Sequence, residues 1–304
     1  MSRMDTSDVA IASCRRESTA DSMDLYPDPD AAPLRQAFRR LGATVTAVSW
    51  DDPRVDWGCF ARVVVSSTWD SVDRPVEYRA WVRTVSALSV LVNSARVIEW
   101  NLDKKHQKGL ADAGVPVIAT SWVEPHEAWD PPSVQFVIKP SISAGGRSTA
   151  RYAGADASQA VSHMRSLQEA GQTVMVQEYM ESIDHDGELN LVFIDGEFSH
   201  AVHKKPALRL GEGVIDRPWE RMAWSGVATP DPEQFSVAKK SMRIVSEILG
   251  EVPPYGRVDL IGGPEGDPLV LEIELIDPYL SLDMVPEAAS RLADSVLRTR
   301  VSGL

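Results

Sequence analysis

The feature that most limits how this chain can fold is a change of rhythm near residue 100. Before it, short apolar runs at 9–13, 44–50, 62–66 and 90–92 alternate with amphipathic stretches. Alternation of that kind builds a parallel sheet covered by helices. One helix opens at Pro33, carries Leu34, Ala37, Phe38 and Leu41 at i, i+3, i+4, i+7, and is closed by Gly42; Tyr78, Trp81, Val82 and Val85 make the next stripe. Beyond residue 100 the strands come in pairs: 115–123 with 135–140, another after Thr149, 189–194 with 197–203, and 257–261 with 269–275. Asp195-Gly196, between two alternating runs, is a strong signal for a two-residue hairpin turn. Helices are expected over 101–113 with Asn101 as cap, over 156–170, and from Thr229-Pro230 to Leu249-Gly250. The expectation is an α/β parallel-sheet domain over 1–100, then two α+β subdomains over 101–180 and 181–304.

Composition narrows the function. Forty-four Asp and Glu against 31 Lys and Arg leave a net charge of −13, which repels polyanions and argues against nucleic acid or anionic membranes as partners. No apolar run approaches the roughly 18 residues needed to span a bilayer, and the first residues lack a leader pattern, so a cytoplasmic protein is expected. Two cysteines, Cys14 and Cys59, are too few for a zinc knuckle or a disulfide framework. A homo-oligomer is compatible with all of this.

Three separated segments carry chemistry. In the first, a strand ends at Lys139-Pro140 and continues into the small-residue segment 141–149, with Ser143, Gly145 and Gly146. Small residues let backbone N–H groups surround phosphate oxygens, and the lysine adds a point charge; a plain hairpin is the other reading. The second segment sets Arg257-Val258-Asp259 opposite Glu272-Ile273-Glu274. Strand alternation puts Arg257 with Asp259, and Glu272 with Glu274, on one face, where three carboxylates repel one another unless a cation lies between them. Magnesium suits such a set, while a solvated acidic face is the alternative. In the third, an apolar run from Met175 passes into Gln177-Glu178-Tyr179-Met180, which by itself is a buried strand with a polar end.

Together and in this order the three segments resemble the ATP-grasp superfamily over about residues 100–285, with the first hundred residues similar to the α/β domain that precedes that fold. The resemblance implies ATP and Mg²⁺. It implies Lys104 and Lys139 as nucleotide-binding lysines and 141–149 as the loop over the phosphates. Gln177, Glu178, Tyr179 and Met180 become the adenine hinge, and Glu188 lies on the ribose side. Asp259, Glu272 and Glu274 become metal ligands. Two departures stand out: Glu274 occupies a position where many members have asparagine, and Glu188-Leu189-Asn190 replaces a common Asp-x-Arg, which makes Lys204 or Arg257 the group beside the transferred phosphate. No G-x-x-x-x-G-K-[ST] loop and no kinase signature set occurs.

Members of the superfamily mostly activate a carboxylate as an acyl phosphate, with Lys139, Lys204 and Arg257 as the catalytic cations here. For the small amino-acid-like substrate, the ends of the early strands offer Cys14 and Arg15 in the loop 13–16, and Thr68 and Asp70 in Ser67-Thr68-Trp69-Asp70. Arg15 suits a carboxylate and Asp70 an ammonium. The Ser-Thr-Trp-Asp turn, Trp100 to Lys104, and Glu272 to Leu275 with Pro278 are most similar to ATP-grasp ligases that close D-cycloserine from O-ureido-D-serine. A ligase joining two amino acids and a non-catalytic ATP-binding regulator are the rival readings. Lys139→Ala and Glu272→Gln should each reduce ATP-dependent turnover at least ~100-fold while preserving the circular dichroism spectrum, since neither side chain belongs to the apolar core. ADP release measures the first effect.

Overall fold

Four strands near the N-terminus, β1 (Asp8–Ser13), β2 (Thr44–Ser49), β3 (Arg62–Ser67) and β4 (Val90–Val92), lie parallel in the order β2-β1-β3-β4. The structure is a computed structural model that describes residues 8–15, 28–215 and 223–299. Burial on both faces explains the unbroken apolar run of β1, because a parallel sheet is covered on each side. Val9 and Ile11 face α1 (Ala31–Arg40), where they meet Leu34 and Phe38; Ala10 and Ala12 face α2 (Pro75–Leu88), where they meet Tyr78, Val82 and Val85. The helix α1 starts two residues before Pro33, and both expected apolar stripes are buried except Leu41.

The expected helix over 101–113 is two helices, α3 (Ala95–Asn101), capped by Ser94, and α4 (His106–Asp112). Asn101 is therefore the last residue of a helix rather than a cap, and the break at 102–105 is what turns Lys104 inward. A second sheet follows, β5 (Thr120–Val123), β6 (Phe136–Pro140), β7 (Ala150–Tyr152) and β8 (Val174–Glu178), antiparallel in the order β5-β8-β6-β7, with α5 (Ala157–Glu169) on one face. The expected strand over 115–123 is shorter, because 116–118 pairs elsewhere.

After α6 (Ser182–Asp186) come β9 (Glu188–Ile194), β10 (Glu197–Lys204), β11 (Trp224–Ala228), α7 (Pro232–Leu249), β12 (Tyr255–Gly262) and β13 (Pro268–Glu274). The five strands form an antiparallel sheet in the order β11-β10-β9-β12-β13. Asp195 and Gly196 both take positive φ, 53° and 75°, as the tight hairpin requires. Asp231, not Thr229-Pro230, begins α7: its carboxylate accepts from the N–H groups of Glu233 and Gln234. The last helix, α8 (Pro286–Arg298), leaves this region to pack with α1 over the first sheet, so the segment 181–304 contributes to two layers.

β13 is the edge of the third sheet, and its outer backbone groups are paired by other parts of the chain. Asn93 Nδ2 donates to Leu275 O (2.5 Å) and Tyr255 O (2.9 Å). Asn101 Nδ2 donates to Ile273 O (2.8 Å) and Asn101 Oδ1 accepts from Leu275 N–H (2.7 Å). Gln107 Nε2 donates to Leu271 O (2.9 Å), and Val270 exchanges bonds with Pro116 O (2.7 Å) and Ile118 N–H (3.1 Å). An open edge invites foreign pairing and leaves polar groups unpaired; here side-chain amides close it. Asn101→Leu strands two buried backbone groups at once and should lower unfolding free energy by about 2–4 kcal/mol, read from the urea midpoint at unchanged slope.

Candidate active site

A cavity of about 940 Å³ opens where the three sheets meet. It receives Lys139 from β6, Lys104 from the break between α3 and α4, Glu188 and Lys204 from neighbouring ends of β9 and β10, and the charged face of β12 and β13.

The two lysines are held differently. Lys104 Nζ bonds Ser143 O, lies 3.2 Å from Ser143 Oγ, and pairs with Glu272 Oε1 at 3.0 Å; its backbone N–H donates to Ser141 O at 2.9 Å. The ammonium of Lys139 has no hydrogen bond or salt bridge among the described residues, although only 8% of the residue is exposed. Burial pushes its pKa down, and Glu272 works against that shift. A buried ammonium facing a cavity without a committed partner is a site prepared for an anion. The segment 141–149 borders the same space, with Ser143, Gly145 and Gly146 lining it. Gly145 and Gly146 have φ of 59° and 74°, which small residues permit, and Arg147 forms an ion pair with Asp73 of the first layer.

Register brings the four charges together as alternation requires: Arg257 lies opposite Glu274 and Asp259 opposite Glu272. Their pairing differs from the expected metal set. Arg257 Nε and Nη2 donate to the two oxygens of Asp259 at 2.7 and 2.8 Å, Nη2 also reaches Glu274 Oε1 at 2.7 Å, and Nη1 donates to Tyr279 O at 2.9 Å. Despite its burial Arg257 is held fully charged by Asp259 and Glu274. Burial opposes ionisation of Glu272, but Lys104 and Lys139 outweigh it and hold its carboxyl near about 2. Burial pushes Glu274 up to about 8 against the pull of Arg257, helped by repulsion from Asp259 and Glu272. An all-carboxylate donor set fits magnesium. Glu272 and Glu274 each engage a cation through one oxygen, so both fit, whereas Asp259 has both oxygens on Arg257. Asp259 is thus the counter-ion that orients Arg257. Among the described residues no group of three or more His, Cys, Asp or Glu is placed to hold a metal ion.

Lys204 pairs with Glu188 at 2.9 Å, and Asp259 also supports its charge. Gly187 makes this approach possible. It has φ of 71°, and a Cβ there would lie 2.3 Å from Lys204 O. At the other wall Gln177, Glu178, Tyr179 and Met180 reach the cavity together with Ile118, Val137 and Leu271. Gln177 Nε2 donates to Thr120 Oγ1 (2.8 Å), Tyr179 N–H is spent on Gln135 O (2.9 Å), and Tyr179 Oη donates to Asp184 (2.7 Å).

At the ends of the first sheet, Cys14, Arg15 and Asp70 line the cavity. Thr68 does not: it is fully buried, donating to Asp277 Oδ2 (3.0 Å) and lying 3.1 Å from Tyr78 Oη, which corrects its expected contact with substrate. Asp70 is already engaged by Trp50 Nε1 (2.7 Å) and Arg74 (2.5 Å), so the expected ammonium site is occupied by an arginine. Arg15 reaches Asp51 at 3.2 Å, and Arg16 lies outside the described residues. Burial, with Asp70 and Asp277 nearby, pushes the Cys14 thiol up to about 12, which favours its protonated form. Asp277, Trp224 and Tyr279 also line the cavity and escaped the sequence reading. Trp224 and Tyr279 meet edge to face at 4.4 Å across segments with no shared periodicity, and Asp277 belongs to no strand or helix.

Comparison with known proteins matches this geometry. A family model for the N-terminal domain of D-cycloserine synthetase DcsG matches residues 9–93. The cycloserine biosynthesis protein DcsG of Streptomyces lavendulae is 34% identical over 288 residues, covering 91% of this chain and 95% of that protein. A crystal structure of D-cycloserine synthetase DcsG superposes with a TM-score of 0.84 at 33% identity, over 95% of this chain and 98% of the other. The D-alanine–D-alanine ligase of Bacillus anthracis complexed with ATP shares the fold, with a TM-score of 0.66 at 12% identity and 96% of each chain covered. The identity to DcsG along nearly the whole length establishes that the chain belongs to the D-cycloserine synthetase family of ATP-grasp ligases, ATP-dependent enzymes.

Proposed function

We propose that the chain uses ATP to activate the carboxylate of O-ureido-D-serine and closes that molecule on itself to D-cycloserine. The observation that carries this reading is the single cavity running from Lys139 to the strand ends of the first sheet, in a chain similar to DcsG over nearly its full length. Lys104 and Lys139 hold the phosphates, with Ser143, Gly145 and Gly146 offering backbone N–H groups above them. Gln177 to Met180 flank the adenine, where Tyr179 N–H is already committed and Glu178 and Met180 remain for the base edge. Glu188 faces the ribose. Glu272 and Glu274 hold magnesium, which when bound offsets charge on the β- and γ-phosphates.

Arg257 places its guanidinium beside the γ-phosphoryl group and the substrate carboxylate, held there by Asp259, and Lys204 adds charge from the next strand pair. The carboxylate oxygen attacks phosphorus and ADP leaves. The nitrogen bonded to oxygen then attacks the acyl carbon and loses its proton, phosphate departs with its oxygen, and a five-membered N-carbamoyl ring results; one water then cleaves the N–carbamoyl bond, giving the free isoxazolidinone with carbon dioxide and ammonia. Both steps depend on charge stabilisation by preorganised cations and on holding one molecule in a near-attack conformation.

Incubation with Mg²⁺, ATP and O-ureido-D-serine should release ADP and phosphate and give the isoxazolidinone by mass spectrometry, while the L isomer gives none. Turnover confined to pairs of ordinary amino acids would instead assign a dipeptide ligase. The segment 141–149 packs few apolar groups, so its amides should gain protection from hydrogen exchange by at least ~10-fold on adding a non-hydrolysable ATP analogue with Mg²⁺. Equal protection in both states would remove its role over the phosphates.

A further inference from the structure

Six carboxylates line the cavity: Asp70, Glu178, Glu188, Glu272, Glu274 and Asp277. Four are neutralised by a named cation, Asp70 by Arg74, Glu188 by Lys204, Glu272 by Lys104 and Glu274 by Arg257. Glu178 is exposed to solvent at the adenine wall, where water screens it. Asp277 is the remaining one, with no salt bridge among the described residues and a position at the substrate end of the cavity. Its Oδ2 accepts from Thr68 Oγ1 (3.0 Å), Thr68 is steadied by Tyr78 Oη (3.1 Å), and Trp69 Nε1 donates to Asp277 O (3.3 Å). The hydroxyl and the backbone N–H of Thr68 both bond the Asp277 carboxylate and so orient it, while no cation among the described residues forms a salt bridge with it.

We propose that Asp277 receives the α-ammonium of the amino-acid substrate and is the residue by which the site selects amino acids over other carboxylic acids. The proposal rests on the cyclisation reading above and replaces Asp70, which Arg74 already holds. Burial, with Asp70 and Asp28 nearby, pushes the Asp277 carboxyl up to about 7; a buried charge that is costly alone is relieved by a cationic ligand. Placement agrees. Asp277 follows Glu274 by three residues, so at most about 10 Å of chain separates the proposed ammonium contact from the carboxylate that Arg257 grips. An α-amino acid, whose ammonium and carboxylate share one carbon, bridges two such side chains. Thr68 thus acts on the substrate through Asp277 and is a positioning residue, which explains a Ser-Thr-Trp-Asp turn in which the threonine never touches the cavity.

The test compares O-ureido-D-serine with its des-amino analogue, 3-(ureidooxy)propanoate, in the full-length protein. The wild type should prefer the amino acid in kcat/KM by about 50-fold, the range of a charge-assisted hydrogen bond. Asp277→Asn, which keeps an acceptor for Thr68, should abolish that preference by raising KM for the amino acid while leaving KM for ATP within about twofold. A preference that survives in Asp277→Asn overturns the proposal and leaves the cyclisation reading intact; transfer of the effect to Asp70→Asn does the same. If Asp277→Asn does not fold, Asp277→Glu keeps the charge and moves it by one methylene, and should raise KM for the amino acid at least ~5-fold with no change for the des-amino analogue. A wild type that makes no product from O-ureido-D-serine yet turns over other amino acids removes the cyclisation reading alone, since the same comparison of an amino acid with its des-amino analogue then decides on Asp277. A wild type inert to every amino acid removes both.

Discussion

The charged face of the active site depends on where β13 lies, and β13 is an edge strand paired with β12 on one side and held by side-chain amides on the other. Asn93, Asn101 and Gln107 take up the outward backbone groups of Leu271, Ile273 and Leu275, and 116–118 takes up Val270. The residues between those contacts, Glu272 and Glu274, bring the charges of β13 to the cavity. Since side chains alternate along a strand, slipping the register by one residue would bury both glutamates and expose Ile273. The same amides belong to the segment 93–107 that carries Lys104, so the bond lengths that hold β13 also set the 3.0 Å pairing of Lys104 with Glu272. The scaffold of the site is thus three neutral polar side chains, of which Asn101 also borders the cavity.

The charges on that scaffold are arranged so that each buried one has a task. A buried guanidinium costs several kcal/mol unless paired and hydrogen-bonded. Arg257 meets that cost with Asp259 through two parallel bonds, a geometry that fixes the plane of the fork as well as its charge. Asp259 lies only two residues from Arg257 on the same strand face, so the pair forms within β12 and does not rely on the meeting of sheets. Glu274 is raised by burial and then by its acidic neighbours, while burial lowers Lys139 against the pull of Glu272.

Much of this was legible in the sequence because it follows from period and chirality. The two-residue period of strands placed Arg257, Asp259, Glu272 and Glu274 on one surface, and Asp195-Gly196 gave its hairpin. The helical stripe from Leu34 to Phe38 found its core. What could not be read depends on contacts between segments far apart in the chain. Asn101 resembles a helix cap because its side chain bonds backbone; only the fold shows that the backbone belongs to β13, 172 residues away. Thr68 and Asp70 sit in the right turn, but their partners, Asp277 and Arg74, decide that one is buried and the other already neutralised. Asp277 itself lies between β13 and α8 in a stretch without periodicity, where no pattern announces a binding residue.

The loop 141–149 also ties the wall of the cavity near Lys104 to the first layer. Its start is fixed by the bond from Lys104 N–H to Ser141 O and by Lys104 on Ser143, its far part by the ion pair of Arg147 with Asp73. Asp73 closes the short 3₁₀ turn that begins at Trp69, the residue whose indole bonds Asp277 O. The first contact is buried and the second is half in solvent, with 56% of the Asp73 side chain exposed, so the two differ in strength: water and salt weaken the outer pair far more than the inner one.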